Sequence, residues 1–225
     1  MSDLIGNLLE NGWLKTPAII EAFKNIKRVD FLSEDSKNLA QLNEALPIGY
    51  GQTISQPLVV AFMLELLKPQ VGEKILDIGA GSGWTTALLA YIVSQKGDPK
   101  SQAPNPKGRV LAIEVIQELK EFGERNVRKY NFIEKGIVEF LCADGSKGYE
   151  KEAPFDKILC SAAVQKRDWE DDIEKVPSAW KEQLKIDGRI VTPIGPSIWL
   201  FEKISETEFK EKEYPGFTFV PLVKK

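Results

Sequence analysis

The chain has 225 residues, of which 43% are hydrophobic and 28% charged, with a formal net charge of −3; this is a globular composition, long enough for a sizeable core and neither disordered nor membrane-like. No apolar run approaches the roughly 18 residues a spanning helix needs, and the mixed, slightly acidic charge gives no electrostatic footprint for a nucleic-acid backbone. There is no histidine, which removes the side chain most used for proton transfer near neutral pH, excludes Ser-His-Asp and Cys-His hydrolysis, and leaves Cys142 and Cys160 without a plausible zinc set, so no metal is expected.

Both cysteines fall in predicted strands and read as small buried apolar residues in a reducing compartment. The start, Met1-Ser2-Asp3-Leu4, lacks the basic region and apolar core of a secretory signal, so a cytoplasmic protein is expected. Leu4, Ile5, Leu8 and Leu9 form a first helical stripe, interrupted at Gly12. A second helix starts at Thr16-Pro17, with Thr16 as N-cap and Pro17 in the first turn, and carries the stripe Ile19, Ile20, Phe23, Ile26. Together they predict a small helical part packed over a later sheet.

Leu46 to Pro57 combines two glycines and two prolines with polar residues, which is loop chemistry, and a helix over Leu58 to Leu67 follows at once. Ser55 and Gln56 either cap that helix or face a ligand; composition alone does not separate the two. Next comes Lys74-Ile75-Leu76-Asp77-Ile78-Gly79-Ala80-Gly81-Ser82-Gly83-Trp84. Ile75, Leu76 and Ile78 read as a strand buried on both faces, and Trp84, Ala87, Leu88 and Tyr91 as an amphipathic helix. The turn between them has the pattern D-x-G-x-G-x-G. A dinucleotide turn would need glycine at position 84, and the bulk of Trp84 argues against a passing pyrophosphate. The pattern is similar to the first motif of class I methyltransferases. Their cofactor, S-adenosylmethionine, carries an ammonium and a sulfonium and no phosphate, which suits a strand ending in Asp77.

Ser94 to Gly108 is a polar, proline-containing stretch expected to form a mobile surface loop. Arg109 to Glu114 is a buried strand whose terminal acid is placed either to accept from ribose hydroxyls or to cap the helix Gln117 to Tyr130. A strand over Ile137 to Cys142 runs into Ala143-Asp144-Gly145, a short acid and glycine able to meet the edge of a base. Phe155 to Ser161 is another strand, and the small Ala162 and Ala163 after it leave room for a substrate. A helix over Ile173 to Leu184, a turn at Lys185 to Gly188 and a strand over Arg189 to Ile194 follow. Ser197 to Ile204, Glu208 to Tyr214 and Phe217 to Val223 read as antiparallel strands closing one edge. The sum is an α/β fold with a doubly wound, mostly parallel sheet. We expect a single domain with an N-terminal helical part and substrate loop (1–57), a cofactor-binding sheet and helices (58–195) and C-terminal strands (196–225).

Set beside Asp77 to Gly83, the segment Gly49-Tyr50-Gly51-Gln52-Thr53-Ile54-Ser55-Gln56-Pro57 resembles the protein-L-isoaspartate (D-aspartate) O-methyltransferase family. The resemblance extends to Ala143-Asp144-Gly145-Ser146-Lys147-Gly148-Tyr149, Ser161-Ala162-Ala163, Gly188 to Gly195 and Phe219-Val220-Pro221-Leu222, nearly the whole chain in order. It implies a class I, Rossmann-like protein-repair transferase that moves a methyl group from S-adenosylmethionine to the free α-carboxylate of L-isoaspartyl residues in proteins and peptides, releasing S-adenosylhomocysteine. By position it implies Ser55 as the active-site serine, Gln52, Thr53 and Ile54 beside the cofactor, Asp77, Gly79, Gly81, Ser82 and Gly83 at its methionyl end, Glu114 at the ribose and Asp144 with Gly145 at the adenine. The N-terminal helices and the Gly49 to Ser55 loop are the expected lid, and a monomer is expected. Tyr50 and the segment Gly195 to Leu200 depart from the family pattern, the latter by lacking its usual glycines and glutamine.

Overall fold

The computed structural model describes residues 3–95, 108–165 and 176–223. Most of the expected loop Ser94 to Gly108, and the beginning of the expected helix from Ile173, lie outside those residues.

Two N-terminal helices, α1 (Leu4–Glu10) and α2 (Pro17–Asn25), are followed by 3-10 turns at Arg28–Phe31 and Glu34–Leu39. The short strands β1 (Leu46–Gly49) and β2 (Gln52–Ile54) precede α3 (Pro57–Leu67). The alternating body is β3 (Lys74–Ile78), α4 (Trp84–Val93), β4 (Arg109–Glu114), α5 (Gln117–Arg128), β5 (Val138–Cys142), β6 (Phe155–Cys160), α6 (Ser178–Glu182) and β7 (Leu184–Ile194), and β8 (Ser197–Lys203) and β9 (Phe209–Pro215) close the chain's last edge. The main sheet has the order β5-β4-β3-β6-β7-β8-β9. Its first five strands are parallel, whereas β7, β8 and β9 pair antiparallel. Winding runs outward from β3 through β4 to β5, then reverses to β6 and β7. That reversal opens a crevice at the carboxyl ends of β3, β4 and β6, where open α/β sheets bind ligands.

The period of two along each strand divides the core between the two faces. Ile75, Val110, Ala112, Leu159 and Val191 pack on one side, and Leu76, Ile78, Leu111, Ile113, Ile158 and Ile190 on the other. Helix α4 is buried nearly all round, from Trp84 and Thr86 to Val93, rather than amphipathic as its spacing suggested. It is a middle layer: α2 covers it from outside, with Phe23 edge-on to Trp84 at a centroid separation of 5.6 Å.

Several expectations change. Thr16 takes the N-cap position of α2, but its side chain makes no cap bond; its hydroxyl donates to Glu65 Oε2 at 2.7 Å, while Glu65 Oε1 accepts from the Lys15 and Thr16 amides. The carboxylate of α3 thus anchors the chain where it enters α2. The expected loop at Leu46 to Pro57 contains a β1–β2 hairpin, turned by Gly49, Tyr50 and Gly51, all with positive φ. Pro177 stands at the N-cap of α6 and confines it to Ser178–Glu182, and Lys185 to Gly188 bulge within β7, since Phe155 and Lys157 face Leu184 and Arg189. Cys160 is buried as expected, but Cys142 is exposed because it ends the edge strand β5. Residues 217–223 form no antiparallel strand: the Gly216 and Phe217 amides both donate to the Pro196 carbonyl at 3.0 Å, and the chain turns away from the sheet edge.

Candidate active site

Alternation along β3 puts Asp77 on the same face as Ile75, toward α4. There Thr86 Oγ1 donates to Asp77 Oδ2 at 2.6 Å, while the other oxygen, Oδ1, is buried with no partner among the described residues. Burial, with a smaller push from the charge of Glu114, raises the carboxyl to about 7 against the opposing Thr86 bond. An orphaned, fully buried carboxylate oxygen is costly unless something donates to it.

The turn after β3 is held by backbone. The Gly79 and Ala80 amides donate to the Ile113 carbonyl at 2.9 and 3.1 Å, and the Gly83 amide to Ala80 at 2.8 Å. Glu114 knits the same turn from β4: Oε2 accepts from the Gly81 amide at 2.9 Å and Oε1 from the Val115 and Ile116 amides at 2.9 and 3.1 Å. It does not cap α5, whose N-cap is Ile116. A carboxylate has about four acceptor sites, so room for one more donor, such as a hydroxyl, remains. Gly83 is the left-handed N-cap of α4, and a Cβ there would stand 2.7 Å from the Gly123 carbonyl of α5. Gly123 is the counterpart the sequence pattern missed: a Cβ on it would fall 2.6 Å from the Gly81 carbonyl. Two glycines 40 positions apart in sequence therefore let helix and turn touch through their backbones.

These elements wall a cleft enclosing about 740 Å³ of space, part of it open to solvent. Of the residues singled out in the sequence, Gln52, Thr53, Ile54, Ser55, Gly79, Gly81, Ser82, Glu114 and Gly145 line it. Asp77, Gly83 and Asp144 do not. Gly83 lies against α5, and Asp144 turns its Oδ1 back to the amide and hydroxyl of Ser146 at 3.0 and 2.7 Å. Gly145 allows the β5 loop to cross β3, since a Cβ would fall 2.4 Å from Ile78 Cγ2, and its carbonyl accepts from Trp180 Nε1 at 2.8 Å. Among the described residues the lining contains one acid, Glu114, and neither lysine nor arginine. Such a wall is poorly suited to phosphate and well suited to a cationic, phosphate-free ligand, and the orphaned Asp77 oxygen behind the turn strengthens that fit.

A second cavity adjoins the first. Thr53, Ser55, Ser161 and Val220 belong to both walls, and Ala45, Gln56, Val59, Thr218 and Phe219 complete the second. Ser55 therefore stands on the partition between two spaces, and neither Ser55 nor Gln56 caps α3 with its side chain: the Leu58 amide donates instead to Asn43 Oδ1 at 2.9 Å, and Gln56 Nε2 to the Asn43 carbonyl at 2.9 Å. The C-terminal segment closes the outer side. The Leu222 amide donates to the Ala163 carbonyl and the Ala163 amide to the Val220 carbonyl, each at 2.8 Å, so residues expected to extend the sheet instead cross the strand ends and wall both cavities. The atypical segment Gly195 to Leu200 lines neither; it makes the β7–β8 turn.

Comparison with known proteins agrees with this architecture. The family model described as protein-L-isoaspartate(D-aspartate) O-methyltransferase matches residues 1–225. A protein-L-isoaspartate O-methyltransferase of Methanopyrus kandleri is 37% identical over 224 residues, spanning 98% of this chain and 89% of that protein. Protein-L-isoaspartate O-methyltransferase 2 of Archaeoglobus fulgidus is 39% identical over 207 residues, 91% and 84% of the respective chains. Among solved structures, a Plasmodium falciparum chain described as a protein-L-isoaspartate O-methyltransferase, in complex with S-adenosyl-L-homocysteine, superposes over 100% of both chains with a TM-score of 0.81 at 18% identity, a likeness of fold.

Proposed function

Since the chain belongs to the protein-L-isoaspartate(D-aspartate) O-methyltransferase family, we propose that it transfers a methyl group from S-adenosylmethionine to the free α-carboxylate of L-isoaspartyl residues in damaged proteins and peptides. The observation that carries this reading is the position of Ser55 on the partition between two adjoining cavities: one for the donor, one for the acceptor.

S-adenosylmethionine, when bound, supplies a methyl group already activated on a sulfonium. On the protein side, Gly79, Gly81 and Ser82 hold the methionyl end, with Asp77 as the buried counter-charge behind them. Glu114 would accept from the ribose, and Gly145 would face the adenine, with Asp144 stiffening its turn. Gln52, Thr53 and Ile54 form the facing wall. Ser55 donates a hydrogen bond to one oxygen of the acceptor carboxylate and leaves the other oxygen to attack. That carboxylate is ionised at neutral pH, with a reference pKa near 3.5, so no side chain has to remove a proton and a chain without histidine loses nothing. The work left to the protein is alignment and the exclusion of water, and good alignment alone is worth on the order of 7 kcal/mol or more. The oligomeric state that goes with this reading is a monomer. The two free cysteines suit a reducing, cytoplasmic setting, and no helix among the described residues is long and apolar enough to cross a membrane.

The test pairs an L-isoaspartyl peptide with its L-aspartyl isomer and follows S-adenosylhomocysteine release. We expect release with the isoaspartyl peptide alone. Release with the aspartyl isomer alone would move the activity to a different carboxylate, and none with either would contradict the assignment.

A further inference from the structure

Arg28 belongs to neither cavity and to no sequence motif used above, yet it is one of the few buried charges, 5% exposed. Its Nη1 donates to the carbonyls of Ala40 and Leu42 at 3.3 and 2.8 Å, and its Nη2 to those of Glu44 and Ser55 at 2.6 and 3.3 Å. Among the described residues its Nε has no partner. The guanidinium also lies over the Trp84 ring, with Cζ 5.5 Å from the centroid. Burial lowers its pKa to about 10. Among the described residues no carboxylate pairs with it, and a cation taken out of water without a counterion is expensive.

What that expense secures is visible in its partners. Residues 40–45 form neither helix nor strand, so their carbonyls have no ladder to join, and a planar fork with five donors can gather several of them at once where a lysine cannot. One of the four is the carbonyl of Ser55 itself. The guanidinium also rests on the ring of Trp84, the first residue of α4, and Trp84 is among the residues that line the donor cavity with Gly81 and Ser82. Arg28 is thus a single side chain in contact with both halves of the site.

We propose that Arg28 is a positioning residue for methyl transfer, fixing Ser55 relative to the glycine turn by holding the Ser55 carbonyl while resting on Trp84. This rests on the acceptor role given to Ser55 under the proposed function. Misplacement of a reacting pair by about 1 Å can cost on the order of a hundredfold in rate, so a loosened strap should reach turnover before it reaches cofactor binding.

The experiment compares wild type with Arg28→Lys, which keeps the charge but not the fork, and Arg28→Met, which keeps the length. Three quantities are measured: affinity for S-adenosylhomocysteine by calorimetry, kcat and KM with an isoaspartyl peptide, and hydrogen exchange at the amides of 52–55 against those of α4. Arg28→Lys is expected to bind S-adenosylhomocysteine within about threefold of wild type, to lose about 10- to 100-fold in kcat, and to exchange at 52–55 about tenfold or more faster with α4 unchanged. Unchanged kcat, unchanged exchange at 52–55, or a loss of affinity equal to the loss of kcat would overturn the proposal. If both variants fail to fold, wild type decides: the proposal requires amides 52–55 to be protected well beyond an open loop, and free exchange there refutes it. Should wild type turn over no isoaspartyl peptide, the functional reading fails while the exchange comparison still judges Arg28.

Discussion

The glycine turn and the serine loop face each other across one cleft, yet they are held in opposite ways. The turn from Gly79 to Gly83 is fixed by its own backbone: amides bonded to the end of β4, a carboxylate knitted through it, and α5 pressed against it glycine to glycine. The loop leading to Ser55 is a two-strand hairpin and an irregular segment tied down by side chains, chiefly Arg28 and Asn43. Rigidity in the first comes from backbone contacts that its glycines permit, helped by the Glu114 carboxylate, and in the second from the side chains of Arg28 and Asn43. The donor half should therefore fail by steric intrusion, and the acceptor half by loss of alignment.

The largest effect tests the first half. In Gly83→Val the added Cβ meets the Gly123 carbonyl at 2.7 Å and Val127 Cγ2 at 2.9 Å, on a residue whose φ of +82° an L side chain rarely adopts. Neither the backbone of the turn nor that of α5 can yield cheaply, so we expect cofactor affinity to fall by more than about a hundredfold, with overpacking adding a stability loss of about 1–3 kcal/mol. Calorimetry with S-adenosylhomocysteine and a melting curve check both. Near-normal affinity would mean that α5 does not fix the turn.

A smaller effect sharpens the electrostatic side of the same half. The Asp77 carboxyl is raised to about 7, mainly by burial, well above the reference value near 3.9. The folded protein therefore holds this proton where the unfolded chain has lost it, and the contribution of Asp77 to stability declines as pH rises from about 4 to about 7, then levels off. Cofactor binding should show the opposite trend, because an ammonium at the turn favours the ionised form. Affinity for S-adenosylhomocysteine is expected to rise several-fold between about pH 6 and pH 8, and Asp77→Asn should flatten both dependences. A flat wild-type affinity profile would remove Asp77 from the role of counter-charge.

The same contrast explains what the sequence disclosed. The donor half was legible because it is local: an apolar strand, alternate glycines and an apolar helix within 20 residues state their own geometry, and the alternation of strands and helices implies a mostly parallel sheet. Gly123 stayed hidden because a glycine within a helix has no local signature, and its meaning exists only where Gly83 approaches it. The acceptor half was legible as a motif ending at Ser55 but not as a structure. Composition marks Leu46 to Pro57 as a loop, while the hairpin depends on three consecutive positive φ angles, one of them at Tyr50. Arg28 could not be read at all, since its partners are backbone carbonyls, which every residue carries. At the end of the chain the alternating apolar residues of Phe217 to Val223 suggested an edge strand, but Gly216 and the Pro196 carbonyl turn them across the cleft instead. Cys142 has the same cause: strand pattern predicts pairing, whereas exposure depends on which strand lies at the edge.

We propose that the two halves are separable, the turn binding the donor and Ser55 serving only the transfer. Ser55→Ala, measured in one preparation for S-adenosylhomocysteine affinity and for methyl transfer to an L-isoaspartyl peptide, tests it most directly. Affinity is expected to stay within about threefold of wild type and turnover to fall by roughly ten- to a thousandfold, the pattern of an orienting hydrogen bond felt mainly in the transition state. Full turnover, or a loss of affinity equal to the loss of turnover, would contradict it.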